Sequence, residues 1–150
     1  MYGHLFDHTF SMDNNFNNPE HNFNNVVFLE KGLPEEVKKP IPTIHCEKDP
    51  FGEIQIYADQ GYDYIAVGSN KKLDAKTWEK IKNKYPDLKI HMFGNLNRKM
   101  LNTWKPYSAD SASYAKQAGL GFILYYHPET DREYNIYMGE MDTKKHNGIL

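Results

Sequence analysis

Gly61-Tyr62-Asp63-Tyr64-Ile65-Ala66-Val67-Gly68-Ser69-Asn70 is the stretch on which the fold turns. Gly61 suits the end of a helix. Residues 64–67 are almost continuously apolar, as expected of a parallel strand buried on both faces. The following Gly-Ser-Asn opens a polar loop. After the loop, Asp74 is placed to cap a helix whose inner stripe is Trp78, Ile81 and Tyr85, with lysines outside. The stretch is thus a strand between two helices, the signature of a βα fold.

The same kind of unit recurs on both sides, without a fixed repeat length. Upstream, residues 5–12 read as a strand, followed by the Asn-rich loop 13–18. Asn18-Pro19 is an N-cap followed by proline at N1. Phe23, Val26 and Val27 have helical spacing, and Gly32 suits the C-cap. A second strand is expected at residues 41–46, and Asp49-Pro50 repeats the cap-and-proline signal before Ile54, Tyr57 and Ala58. Downstream, residues 89–93 form a fourth strand ending at Gly94. Leu96, Met100 and Trp104 then recur at helical spacing. A short fifth strand covers residues 106–109, and a helix runs from 111 to 118, ending at Gly119. The tail differs: residues 122–126 and 134–138 are strand-like around a turn-rich stretch, which predicts a β-hairpin or an extra strand.

These units predict an α/β fold of about five βα units, followed by the hairpin. One body through residue 140 is expected, with 141–150 as a flexible tail. Strands alternating with helices imply a parallel sheet. An open doubly wound sheet and part of a (β/α)₈ TIM barrel both fit. A whole barrel takes about 250 residues, more than the 150 here.

Composition narrows the class. Aromatics reach 14%, enough to carry much of a core whose hydrophobic share is only 39%. A net charge of −2 lacks the strongly basic balance of a dedicated polyanion binder. The single cysteine, Cys46, rules out an internal disulfide and any multi-cysteine zinc site, and fits a reducing compartment. No apolar run approaches the roughly 18 residues that span a membrane. The chain shows no GxGxxG, P-loop, GxSxG or HExxH pattern, so neither a metal nor another cofactor is expected.

In parallel α/β folds, ligands bind at the C-terminal ends of the strands. Those ends carry Asp13 and Asn14; His45, Cys46 and Glu47; Gly68 and Ser69; Gly94 with His91 just before it; and Ser108, Asp110 and Ser111. If the strands run parallel, carboxylates, imidazoles and glycines meet on one rim. Each residue also has a structural role open to it. Asp110 fits a helix N-cap, Asp13 an Asx turn, His45 and His91 buried core histidines, and Gly68 and Gly94 ordinary βα turns. The Lys-rich segment 71–89 fits a solvated helix face.

In this order and spacing the motifs resemble the tRNA-guanine transglycosylases. Gly61-Tyr62-Asp63-Tyr64-Ile65-Ala66-Val67-Gly68-Ser69 looks like that family's guanine-pocket strand. Ile90-His91-Met92-Phe93-Gly94, a helix, and Pro106-Tyr107-Ser108-Ala109-Asp110-Ser111-Ala112-Ser113 are similar to the strand, helix and nucleophile strand that follow. Pro42-Thr43-Ile44-His45 fits the upstream Pro-x-x-His strand of the transglycosylase-like proteins of bacteriophages, some of which place 7-deazaguanine bases in DNA. The likeness spans residues 11–113. It implies the C-terminal part of a TIM-like barrel and guanine or 7-deazaguanine exchange in tRNA or DNA. Asp110 would be the nucleophile at the sugar C1′. Asp13 would hold the purine edge and the backbone near Gly68 would contact the base. Asn14, His45, Ser69, His91, Gly94, Ser108 and Ser111 would line the rim.

The family's Asp-Ser-Gly strand and its Cys-x-Cys-x-x-Cys zinc site have no counterpart here. A homo-oligomer, or a complex with a protein supplying the N-terminal half, is therefore expected, in the cytoplasm of a bacterial or phage-infected cell. Two rivals stay open: a non-catalytic nucleotide- or protein-binding module derived from the fold, and an unrelated small α/β domain.

Overall fold

The computed structural model describes residues 8–11, 18–45, 48–68, 73–94 and 98–138. By contacts the chain forms two compact units, Met1–Asp110 and Ser111–Leu150.

In the first unit three helices begin as their capping residues dictate. The Asn18 side chain accepts from the His21 N–H at 3.0 Å and opens α1 (Pro19–Lys31). Asp49 accepts from Gly52 N–H at 2.9 Å and opens α2 (Pro50–Asp59). Asp74 accepts from Thr77 N–H at 2.8 Å and opens α3 (Ala75–Lys84). In each case one amide that the first helical turn cannot satisfy finds a side-chain oxygen. The chain leaves α2 through Gly61, whose φ of +88° is the left-handed geometry glycine adopts without a Cβ clash.

The strands are β1 (Thr43–Ile44), β2 (Tyr64–Val67), β3 (Lys89–Met92) and β4 (Ser108–Ala109), with α4 (Arg98–Trp104) between the last two. They pair in the order β1-β2-β3-β4, every pair parallel. The strand expected at residues 5–12 is reduced, among the described residues, to one parallel bridge between Phe10 and Ile41. Spatial order thus follows chain order with no reversal, unlike the switch that defines a doubly wound sheet. The described strands do not close into a barrel.

The two sheet faces differ sharply. Ile44, Ile65, Val67, Ile90 and Met92 join Val26, Ile54, Tyr57, Trp78 and Ile81 of the helices in one buried cluster. Trp104 of α4 packs against that cluster and stacks on Trp78 at 5.2 Å. The helices therefore cover one face. Residues of opposite parity point the other way, and register aligns them as the row Thr43, Ala66, His91 and Ser108.

In the second unit, α5 (Ser113–Gly119) precedes an antiparallel hairpin of β5 (Phe122–His127) and β6 (Arg132–Tyr137). The expected hairpin is present, six residues to a strand.

Candidate functional site

One step beyond the Thr43 row, the ladder continues past the strand ends. Gly68 N–H donates to Ile44, Phe93 N–H to Val67, and Asp110 N–H to Met92. Two residues along each strand returns to the same face, so His45, Gly68, Phe93 and Asp110 form a second row above the first. Five of the residues expected at the site, His45, Gly68, His91, Ser108 and Asp110, thus share the face opposite the helices, where Asp110 is exposed and Gly68 and His91 are buried. Gly94 adjoins them.

Asp110 does not cap the helix that follows: the N-cap position of α5 is Ala112, with no side-chain cap bond. Instead Gly94 N–H donates both to the Asp110 carbonyl and to its Oδ1, each at 3.1 Å. Among the described residues Oδ2 has no hydrogen-bond partner, and the side chain is exposed. Gly94 has φ of +57°, so its turn, which aims this amide at the carboxylate, suits glycine.

Gly68 is buried beneath His45. A Cβ there would fall inside the His45 imidazole, so only glycine allows the ring to lie on that strand tip. This is a more specific demand than an ordinary βα turn makes.

His91 is 8% exposed. Its Nδ1 is 2.8 Å from Ser108 Oγ, which in turn lies 2.7 Å from the Tyr64 hydroxyl. Its ring packs against Phe93 at 4.4 Å and Phe10 at 4.9 Å. Nε2 is buried without a hydrogen-bond partner among the described residues. Burial holds the imidazole below its ordinary pKa of 6.5, and the Asp110 carboxylate offsets part of that shift. At neutral pH and above, the folded His91 is accordingly neutral. Below about pH 6.5 the unfolded chain takes up a proton that the folded chain refuses. Stability then falls as pH drops from that point towards the lowered folded pKa, and this group contributes no slope above it. Urea unfolding across a pH series is expected to show this acid-side loss, and His91→Gln to flatten it. Equal slopes in the two proteins would mean that His91 is not held neutral.

Asp13, Asn14 and Ser69, like Cys46 and Glu47, lie outside the described residues. Ser111 belongs to the second unit. Tyr64, Phe10 and Phe93 belong to the same face but do not stand out in the sequence, because the apolar run 64–67 gives no alternation by which to assign faces and aromatic residues read first as core. The usable signal was the coupling of Tyr64, Ala66 and Gly68 at a spacing of two.

A cleft of about 530 Å³ opens at the other end of the strands, lined by Glu30, Lys39, Tyr62, Asp63 and Lys89 among others. Both of its carboxylates are engaged: Glu30 accepts from the Tyr62 hydroxyl at 2.8 Å and pairs with Lys39 at 3.1 Å, and Asp63 pairs with Lys89 at 3.2 Å. Volume thus favours one end of the sheet, and chemistry the other. The carboxylate oxygen without a partner among the described residues and the buried imidazole mark the strand tips as the candidate site.

Among the described residues no group of three or more His, Cys, Asp or Glu could hold a metal, and no helix is long and apolar enough to cross a membrane. Compared with protein-family models, with curated proteins and with solved structures, the chain matches none.

Proposed function

We propose that this chain forms part of a (β/α)-barrel site that exchanges a guanine or 7-deazaguanine base in tRNA or DNA, with Asp110 as the nucleophile. The observation that carries the reading is the Asp110 carboxylate, held by Gly94 N–H on the same sheet face as Gly68, His45, His91 and Ser108. The sequential parallel order supports the barrel part of the reading, since neighbouring barrel strands are also neighbours in the chain.

Chemically, Asp110 Oδ2 attacks C1′ as the bond from C1′ to the outgoing base nitrogen breaks, and the base leaves with the bonding pair and takes up a proton. The incoming base then attacks C1′ through its ring nitrogen, loses a proton and releases the carboxylate. A carboxylate suits this work because C1′ carries oxocarbenium-like charge in both steps. The nucleotide has to be flipped or unpaired to reach the sheet face. In the described sheet the outer edge of β4 is unpaired, and an open edge favours association. The remaining strands come, on this reading, from a second copy or from a protein supplying the N-terminal half.

A second reading keeps the face as a nucleotide-binding surface without turnover. The His45 ring lying on Gly68 favours it, since a base contacting that backbone has to displace the ring or stack on it. Labelled guanine offered with tRNA or DNA separates the two, with and without the product of a neighbouring gene. Incorporation supports exchange. Guanine binding without incorporation under every condition supports the second reading, and neither result leaves an unrelated α/β domain.

A further inference from the structure

We infer that Tyr64, Ser108 and His91 form a hydrogen-bond relay that fixes His91 in its Nε2–H tautomer, and that this N–H is the donor to the exocyclic oxygen of a guanine-type base on the open sheet face. The second half rests on the base-exchange reading; the first does not.

The relay spans three strands, from Tyr64 on β2 to Ser108 on β4 and back to His91 on β3. Its direction follows from counting hydrogens. If Tyr64 O–H donates to Ser108 Oγ, then Ser108 O–H donates to His91 Nδ1 and every hydroxyl hydrogen is used. Only Nε2–H is left over, buried on an imidazole that packs against the rings of Phe10 and Phe93. An aromatic ring is a weak acceptor for such an N–H. In the reverse direction Nδ1–H donates to Ser108 and Ser108 donates to Tyr64. The hydroxyl hydrogen of the half-buried Tyr64 is then left to water or shared with Ser108, and the Nε2 lone pair is buried with no donor among the described residues. A buried lone pair facing aromatic rings, which offer it no hydrogen, costs more than an N–H partly met by such a ring.

Among the described residues the charged and titratable groups facing this imidazole are few. Tyr64 approaches from β2 and Asp110 from the end of β4. The Phe10 segment adds an aromatic ring, and His8 beside it stacks edge-on against Tyr64 at 5.6 Å. Asp110 therefore stays available for chemistry while the relay sets the proton on His91.

A buried donor without an acceptor is a specificity device: it rewards the ligand that brings the acceptor. Guanine and 7-deazaguanine differ at ring position 7, where only guanine has a nitrogen acceptor. Both carry the exocyclic oxygen and the ring N3 as acceptors, and adenine shares N3 but not the oxygen, so a donor that serves both and selects against adenine has to address that oxygen. Phe10 lies over the imidazole and its side chain is 37% exposed, while the backbone on either side is held to the sheet by Ser11 N–H to Ile41, Ile41 N–H to Thr9 and two bonds between Ser11 and Thr43, so a ligand needs only the ring to rotate. It is the group that has to move aside.

Long-range ¹H–¹⁵N correlation spectra of the full chain at pH 8 read the tautomer directly. The expected result is Nε2–H for His91 in the wild type, shifting to a tautomer mixture in Ser108→Ala and in Tyr64→Phe. A wild type in the Nδ1–H form, an even mixture, or variants that leave the tautomer unchanged would overturn the relay. The wild-type spectrum decides even if a variant fails to fold. Titration with guanine and with 7-deazaguanine is expected to shift the His91 Nε2 signal, and adenine to bind at least about tenfold more weakly. Equal response to adenine, or none to any base, removes the donor assignment. These measurements need no turnover, so they fail separately from the incorporation assay.

Discussion

Asp110→Asn is expected to abolish base exchange, lowering turnover on the order of 10⁴-fold, while leaving the fold intact. Losses of this size are what removal of a covalent nucleophile produces in enzymes that use one. The substitution is informative because of what it preserves. An Asn Oδ1 still accepts from Gly94 N–H, so the bond that ties the end of β4 to Gly94 survives. The side chain is exposed, so no buried packing is disturbed. What disappears is the anionic oxygen that bonds to C1′. Label transfer from guanine into nucleic acid, measured beside thermal unfolding, separates the two effects. Undiminished transfer by a folded Asp110→Asn protein would remove Asp110 from the nucleophile role.

Tyr57→Ala is expected to destabilise the first unit by about 3–5 kcal/mol, much of the roughly 5–15 kcal/mol that holds a domain together. Tyr57 is fully buried on α2 and lies edge-on to Phe23 of α1 and to Tyr62, each at 5.5 Å. Removing the ring takes away apolar contact and leaves a cavity where helices meet the sheet. Tyr57→Phe keeps the ring and isolates the hydroxyl, so its cost is expected to be smaller. Hydrogen exchange at the β2 and β3 amides reports the loss directly. Protection unchanged in Tyr57→Ala would mean that α2 does not hold the sheet through this ring.

Much of the helix layer was legible in the chain because its signals are local. Asn18-Pro19, Asp49-Pro50 and Asp74 each cap within one turn, and the Trp78 and Ile81 stripe follows from helical geometry alone. The strand at residues 64–67 was equally plain, being short, apolar and bounded by glycines. The strand at residues 5–12 was not, since pairing depends on a partner about thirty residues away. Among the described residues only Phe10 bridges to Ile41 there.

The site was legible as a set of residue types at strand ends and not as an arrangement. His91 and Ser108 stand out as polar residues in apolar surroundings. That they meet, and that Tyr64 completes their hydrogen bonds, depends on register across three strands. The role of Asp110 also needed coordinates, because an aspartate before a helix fits a cap until the cap position is seen to be Ala112.

The amino-acid sequence by itself determined where helices begin, which residues are apolar enough to be buried, and which polar groups stand at strand ends, because capping and periodicity act within a few residues. Tertiary structure alone decided that the sheet runs β1-β2-β3-β4 without reversal and that His45, Gly68, His91, Ser108 and Asp110 share one face. Strand order and register are set by backbone hydrogen bonds between segments far apart in the chain, and those bonds carry no residue-specific signature.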